Sequence, residues 1–158
     1  MALRYKDDPY VIGNDLRNEV RYDAWNFIMP RWNNGNERSD WKMMSERVGE
    51  AIHANDPTQL IIIETIESGS NFIGIKANPA VLSTPNKIVY SWHYYGNFWS
   101  WRVANSQRTD YADWKAEVDL HINMITVEGE PYTAPVWLGE FGTGGTDNTY
   151  WKFLIRYL

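Results

Sequence analysis

The chain has 158 residues, enough for one domain with a sizeable core, and its 44% hydrophobic and 22% charged composition is that of an ordinary globular protein. Fifteen Lys and Arg against twenty Asp and Glu leave a net charge of −5 with no basic stripe, which argues against nucleic acid as a partner, and no apolar run approaches the ~20 residues a membrane span requires. The absence of cysteine excludes disulfide scaffolds, thiolate catalysis and thiolate-bound zinc.

The opening Met1-Ala2-Leu3-Arg4-Tyr5 lacks the apolar centre of a signal peptide. Tyr10-Val11-Ile12-Gly13 begins a strand that turns polar at Asn14-Asp15 and runs through Leu16 to Arg17-Asn18-Glu19. Asp23 to Met29 reads as a helical turn that Pro30 breaks. Ser39-Asp40 is an N-cap signal for a helix to about His53, with Trp41, Met44, Val48 and Ile52 along one face and Asn55-Asp56-Pro57 as its stop. Leu60-Ile61-Ile62-Ile63 is a β-branched run suited to a strand buried on both faces. Ser68 to Pro85 shows no periodicity and reads as loop with at most a short helix, and Lys87 to His93 is a third strand. Asp110 to about Val127 predicts a second helix, with Trp114, Val118, Ile122 and Ile125 on one face. Pro135 to Gly139 is a fourth strand, and Asn148 caps a closing helix through Leu158. This alternation implies α/β architecture with a parallel sheet, whose polar functional groups gather at the carboxyl ends of the strands.

Aromatic residues make up 15% of the chain, with nine Trp, ten Tyr and five Phe. Some must fill the core, since each ring buries about 150–250 Å². Others lie in polar stretches, such as Trp25 and Trp32 near Asn33-Asn34-Gly35, and Trp99 and Trp101 beside Arg102. A flat ring at the rim of a cleft suits the C–H face of a sugar. His53 and His121 carry no motif and read as core histidines.

Glu19 and Glu140 each end an apolar strand, where an unpaired charge costs free energy unless it has a partner or a task. Ion pairs at the rim would satisfy them. Two carboxylates facing one cleft would also equip the chain to hydrolyse a glycosidic bond.

The sequences Val11-Ile12-Gly13-Asn14-Asp15-Leu16-Arg17-Asn18-Glu19 and Val136-Trp137-Leu138-Gly139-Glu140-Phe141-Gly142 closely resemble the acid/base and nucleophile strands of glycoside hydrolase family 5, the cellulase and mannanase family. Between them, Tyr90-Ser91-Trp92-His93-Tyr94-Tyr95 is similar to that family's His-x-Tyr motif on its sixth strand. The resemblance runs from about Pro9 to Thr143. It implies a partial (β/α)8 TIM barrel of about four parallel β/α units, strands four to seven, forming one catalytic domain over residues 1–158. A closed barrel usually needs about 250 residues.

The same resemblance implies a retaining double displacement on β-1,4-linked glucan, with Glu140 as nucleophile, Glu19 as general acid/base, and no metal or organic cofactor. Asn18 would hydrogen-bond the sugar 2-hydroxyl, Tyr95 would hydrogen-bond the nucleophile, and His93 would line the subsite near the acid. Trp92, Trp99 and Trp101 are the candidate stacking platforms. Asn18 and Glu19 are adjacent and would both have to reach the cleft, which calls for a bulge at the rim. Gly139 and Gly142 would allow substrate and neighbouring strands to approach closely. The resemblance also implies a polysaccharide substrate and secretion.

The chain departs from the family in three ways. Its Asn-Glu-Pro is Asn18-Glu19-Val20 here, the early strands that supply an Arg beneath the nucleophile and a glycone-subsite His have no counterpart, and the last strand with its Trp platform is missing. A carbohydrate-binding or inactive remnant is therefore the competing reading. Phosphate binding is disfavoured, because Gly142-Thr143-Gly144-Gly145 lacks the Lys and spacing of a phosphate loop. A half-barrel would leave two open sheet edges, so either a homodimer completing the barrel or flanking sequence is expected to cover them.

Overall fold

The structure is a computed structural model that describes residues 2–95, 110–123, 125–142 and 149–158. Gly13–Asp15 (β1), Leu60–Glu64 (β2), Ile88–Tyr94 (β3) and Val136–Phe141 (β4) form one sheet in that order, with every neighbouring pair parallel. Each strand is followed by a helix or a turn: Trp41–His53 (α1), the short turn Ile66–Gly69 (α2), whose Glu67 and Ser68 have left-handed φ values of 57° and 59°, Tyr111–His121 (α3) and Thr149–Tyr157 (α4). A single 3₁₀ turn, Ala2–Arg4, precedes them. No helix among the described residues is long and apolar enough to cross a membrane.

Strand alternation separates two faces of the sheet. Ile61 and Ile63 of β2 and Tyr90, Trp92 and Tyr94 of β3 point into the helix layer, where they pack with Phe72, Trp114, Val118 and Leu154. Much of this core is aromatic: Trp114 is fully buried, with Tyr94 edge-on at 6.0 Å and Tyr157 at 5.6 Å. Ser91 and His93 occupy the opposite face, beside β4.

The first strand is shorter than its sequence suggests. It ends at Asp15, and Glu19 lies in the loop beyond it with a left-handed φ of 48°. Asp23 to Ile28 is a turn closed by an antiparallel bridge, not a helical turn, because the Asp23 carboxylate accepts from the Trp25 and Asn26 N–H groups.

α1 begins where expected. Asp40 is its N-cap, accepting from the N–H of Met43 at 3.0 Å and also from those of Asn33 and Gly35. Its buried stripe is Trp41, Ser45, Gly49 and His53, rotated from the apolar face read from the sequence. Small residues win there because the neighbouring side chains are close: a Cβ on Gly49 would lie 2.8 Å from Leu82 and 3.4 Å from Ile61 of β2. The larger Met44 and Val48, with Trp41, instead line an open groove of about 440 Å³ shared with Leu16, Val20, Ile28 and Pro30. α3 stops at His121, short of Val127, because the three-residue step from Ile122 to Ile125 is made by a turn, with the Ile125 N–H bonded to the Ile122 carbonyl. Ile125 still reaches the core. α4 forms over Thr149–Tyr157, burying Tyr150 and Leu154, while Asn148, its expected cap, lies outside the described residues.

Candidate active site

Four side chains converge at the carboxyl edge of the sheet. His93, next to last in β3, is buried, with Nε2 3.3 Å from Glu64 Oε1, and Nδ1 3.6 Å from Glu19 Oε1 and 3.5 Å from Glu140 Oε2. One atom each from Glu19, His93 and Glu140 falls within 4.8 Å of the others. Three residues from motifs far apart in sequence are thus brought to one point.

A β-bulge makes this register possible. Trp92 pairs with Leu138, but His93 pairs with Glu140, so Gly139 is the extra residue. Without the bulge Gly139 would face His93 and the carboxylate would point away. Gly139 must also be glycine on packing grounds: a Cβ there would overlap Ser91 Oγ and sit 3.3 Å from His93 Nε2. The bulge expected at Asn18-Glu19 is absent. Those residues lie past the end of β1, where the left-handed backbone of Glu19 replaces strand alternation.

Tyr95 donates its hydroxyl to Glu140 Oε2 at 2.7 Å. That bond, then desolvation, raises the phenol pKa above its ordinary value and keeps Tyr95 a donor. A Cβ on Gly142 would lie 3.0 Å from the Tyr95 ring, so the second glycine also admits a neighbour. Arg21, exposed, pairs with Glu19 Oε2 at 3.1 Å. Burial by itself would lower the pKa of His93, but the hydrogen bond and charge of Glu64, then the charge of Glu140 and the bond to Glu19, raise it overall. Asp15, at the end of β1, is raised by desolvation first and by the charge of Glu64 next.

Sequence reasoning missed Glu64. It closes the apolar run of β2 just as Glu140 closes that of β4, and the same rule about charges at strand ends could have found it. Trp92 requires a correction. It is 4% exposed and packs on Tyr94 at 4.7 Å, with no face open to a sugar. Neighbours in a strand face opposite ways, so His93 in the cleft forces Trp92 into the helix layer. Trp99 and Trp101 lie outside the described residues. Asn18 is exposed beside Glu19, and Val20, which stands where the family has Pro, packs on Trp41 and Ile66. His53 is a buried core histidine, its Nε2 2.9 Å from the Gln59 carbonyl.

Fold and site together define a partial TIM barrel with a cluster of carboxylates around one histidine at the carboxyl edge of its sheet. Residues 1–157 match the family described as cellulase (glycosyl hydrolase family 5), and the chain belongs to that family. It is 33% identical to an endoglucanase of Paenibacillus polymyxa over 93% of this chain and 38% of that protein. Its fold matches the catalytic domain of the major endoglucanase of Xanthomonas campestris with a TM-score of 0.79 and 27% identity, covering 99% of this chain and 47% of that one. It also matches a cellotetraose complex of an endocellulase from Pyrococcus horikoshii with a TM-score of 0.75 and 24% identity, covering 98% of this chain and 49% of that one. The chain therefore spans less than half the length of these relatives.

Proposed function

We propose that this chain carries the two reacting carboxyl groups of a retaining, endoglucanase-like hydrolase of β-1,4-linked glucan, with Glu140 as nucleophile and Glu19 as acid/base. The observation that carries the reading is the closeness of the two carboxylates, one oxygen of each lying within 4.8 Å of the other. Retaining glycosidases hold their carboxyl groups about 5–5.5 Å apart, whereas inverting ones leave about 6.5–9.5 Å for a water.

In the first displacement a Glu140 oxygen bonds to the anomeric carbon while the bond to the leaving sugar breaks, and Glu19 gives its proton to the departing oxygen. In the second, Glu19 takes a proton from a water whose oxygen attacks the same carbon and releases Glu140. Tyr95 engages Oε2 of Glu140, and in this reading Oε1 is the oxygen that attacks. In this reading Asn18, exposed next to Glu19, hydrogen-bonds the sugar 2-hydroxyl, and Trp99 and Trp101 supply stacking surfaces. The Xanthomonas relative is described as extracellular, which supports secretion of this one. The open edges of β1 and β4 are covered, in this reading, by strands of a second copy or of flanking sequence.

Hydrolysis of a fluorogenic β-cellobioside tests the proposal. Wild type is expected to release the fluorophore and Glu140→Ala to fall to background. If wild type binds cello-oligosaccharides but releases nothing, the chain is a carbohydrate-binding remnant and the hydrolase reading fails.

A further inference from the structure

Glu64 takes no part in the double displacement, yet it is the most deeply buried carboxylate of the site, with 1% exposure. A charge there is costly unless both oxygens are engaged. They are engaged on two different elements. Oε2 accepts the main-chain N–H of Glu19 at 2.5 Å, and Oε1 faces His93 Nε2 at 3.3 Å. The residue is itself held in place, because its carbonyl accepts the indole N–H of Trp41 at 2.7 Å.

We propose that Glu64 is the positioning residue of this site, a buried carboxylate that holds the acid/base loop through the Glu19 amide and fixes His93 as an imidazolium aimed between Glu19 and Glu140. The inference rests on the proposed glycosidase reading for its catalytic consequence, though not for its geometry.

Three observations carry it. The Glu19 backbone has a φ of 48°, a conformation that a residue with a Cβ rarely adopts without a restraint, and the Glu64 bond falls on that residue's own N–H. The His93 ring is confined on two sides, since a Cβ on Gly69 would lie 3.0 Å from Cγ and one on Gly139 would lie 3.3 Å from Nε2. With Nε2–H directed at Glu64, Nδ1 is buried, lacks a hydrogen-bond partner of good geometry, and stands 3.6 Å from Glu19 and 3.5 Å from Glu140. A neutral ring with its N–H on Nε2 would present a lone pair to two carboxylates. A protonated ring presents an N–H that either can accept.

The groups facing this ring are Asp15 from β1, Glu19 from the following loop, Glu64 from β2 and Glu140 from β4, with Tyr95 and Arg21 bonded to Glu140 and Glu19 in turn. Glu64 gives the imidazolium a neutralising partner on the side away from the cleft. The pair therefore offers Glu140 an N–H without adding net positive charge to the site.

The test is an NMR titration of the histidine rings in the full chain, wild type against Glu64→Gln, with the His93 signal assigned by His93→Gln. Wild-type His93 is expected to titrate above the ordinary value near 6.5 and to drop by about one to two units in Glu64→Gln, while His53 and His121 stay put. Glu64→Asp, which keeps the charge, should restore much of the shift. In kinetics, Glu64→Gln should lower kcat about tenfold or more with KM little changed, and move the alkaline limb of kcat to lower pH. An unchanged His93 midpoint in Glu64→Gln overturns the proposal. If that variant does not fold, a wild-type His93 midpoint at or below the ordinary value overturns it equally. The titration needs no turnover, so a chain with the expected shift but no hydrolysis sinks the glycosidase reading and leaves Glu64 standing. A hydrolysing chain indifferent to Glu64→Gln does the reverse.

Discussion

Tyr95 and Glu140 are joined by a 2.7 Å hydrogen bond in which the phenol donates to Oε2. Tyr95 follows the last residue of β3 and Glu140 stands near the end of β4, so the bond closes the carboxyl edge of the sheet across two neighbouring strands.

Removing that donor tests its weight. Tyr95→Phe keeps the ring and deletes one hydrogen bond to a carboxylate, a contribution of about 1.5–3 kcal/mol. The expected result is a fall in kcat/KM of about tenfold to a hundredfold on the fluorogenic cellobioside, with the melting temperature nearly unchanged because Tyr95 is 38% exposed. A variant as active as wild type would show that the bond does not matter to the nucleophile.

The bulge can be tested by steric substitution. Gly139→Ala puts a methyl group onto Ser91 Oγ and against His93. It should cost about 1–3 kcal/mol of stability and displace the imidazole, lowering kcat. Ser91→Gly in the same chain should restore part of both, as measured by calorimetry and steady-state kinetics. Independent, additive losses in the double variant would mean that the clash lies elsewhere.

Asp40 gives a pH-dependent stability with a definite sign. Burial would raise its pKa, but the N–H groups of Met43, Gly35 and Asn33 outweigh burial and lower it. A carboxylate depressed on folding stabilises the fold above its unfolded pKa of about 3.9, and that contribution disappears as pH falls through the folded value. Asp40→Asn, which can still cap α1, should therefore melt below wild type at neutral pH and converge with it in acid. Asp40→Ala should lose about 2 kcal/mol at neutral pH, roughly 4–8 °C.

The open sheet edges bear on assembly. Ile12 and Trp137 are half exposed beside the outer strands, and nothing among the described residues pairs with the free edges of β1 and β4. Light scattering at micromolar concentration should find the chain associated, or calorimetry should find it melting without a cooperative transition. A monomer with a sharp melt would count against both the homodimer and the dependence on flanking strands.

Much of this site could be read before any coordinates. His93, Tyr95 and Glu140 lie in motifs at the ends of strands that parallel pairing brings together, whereas Glu19, read as the end of its strand, stands in the loop past Asp15. What escaped was set by packing between distant segments. Glu64 belongs to no motif, and its importance lies in partners from the β1 loop and β3. The bulge at Gly139 depends on the fit of β4 against β3, which no single strand reveals. Trp92 differs, because alternation alone, applied to the His93 neighbour, would have sent it to the core.

Helix α1 has two sides to satisfy. Ser45 and Gly49 press it onto the sheet layer, while Met44 and Val48 look outward into the groove beneath the loop of Leu16 to Pro30. Trp41 belongs to both sides: its ring borders the groove, and its N–H grips the carbonyl of Glu64. The groove wall and the strand end that carries the buried carboxylate therefore meet in Trp41, so that the outer wall of the half-barrel and the alignment of its site are mechanically linked through that indole.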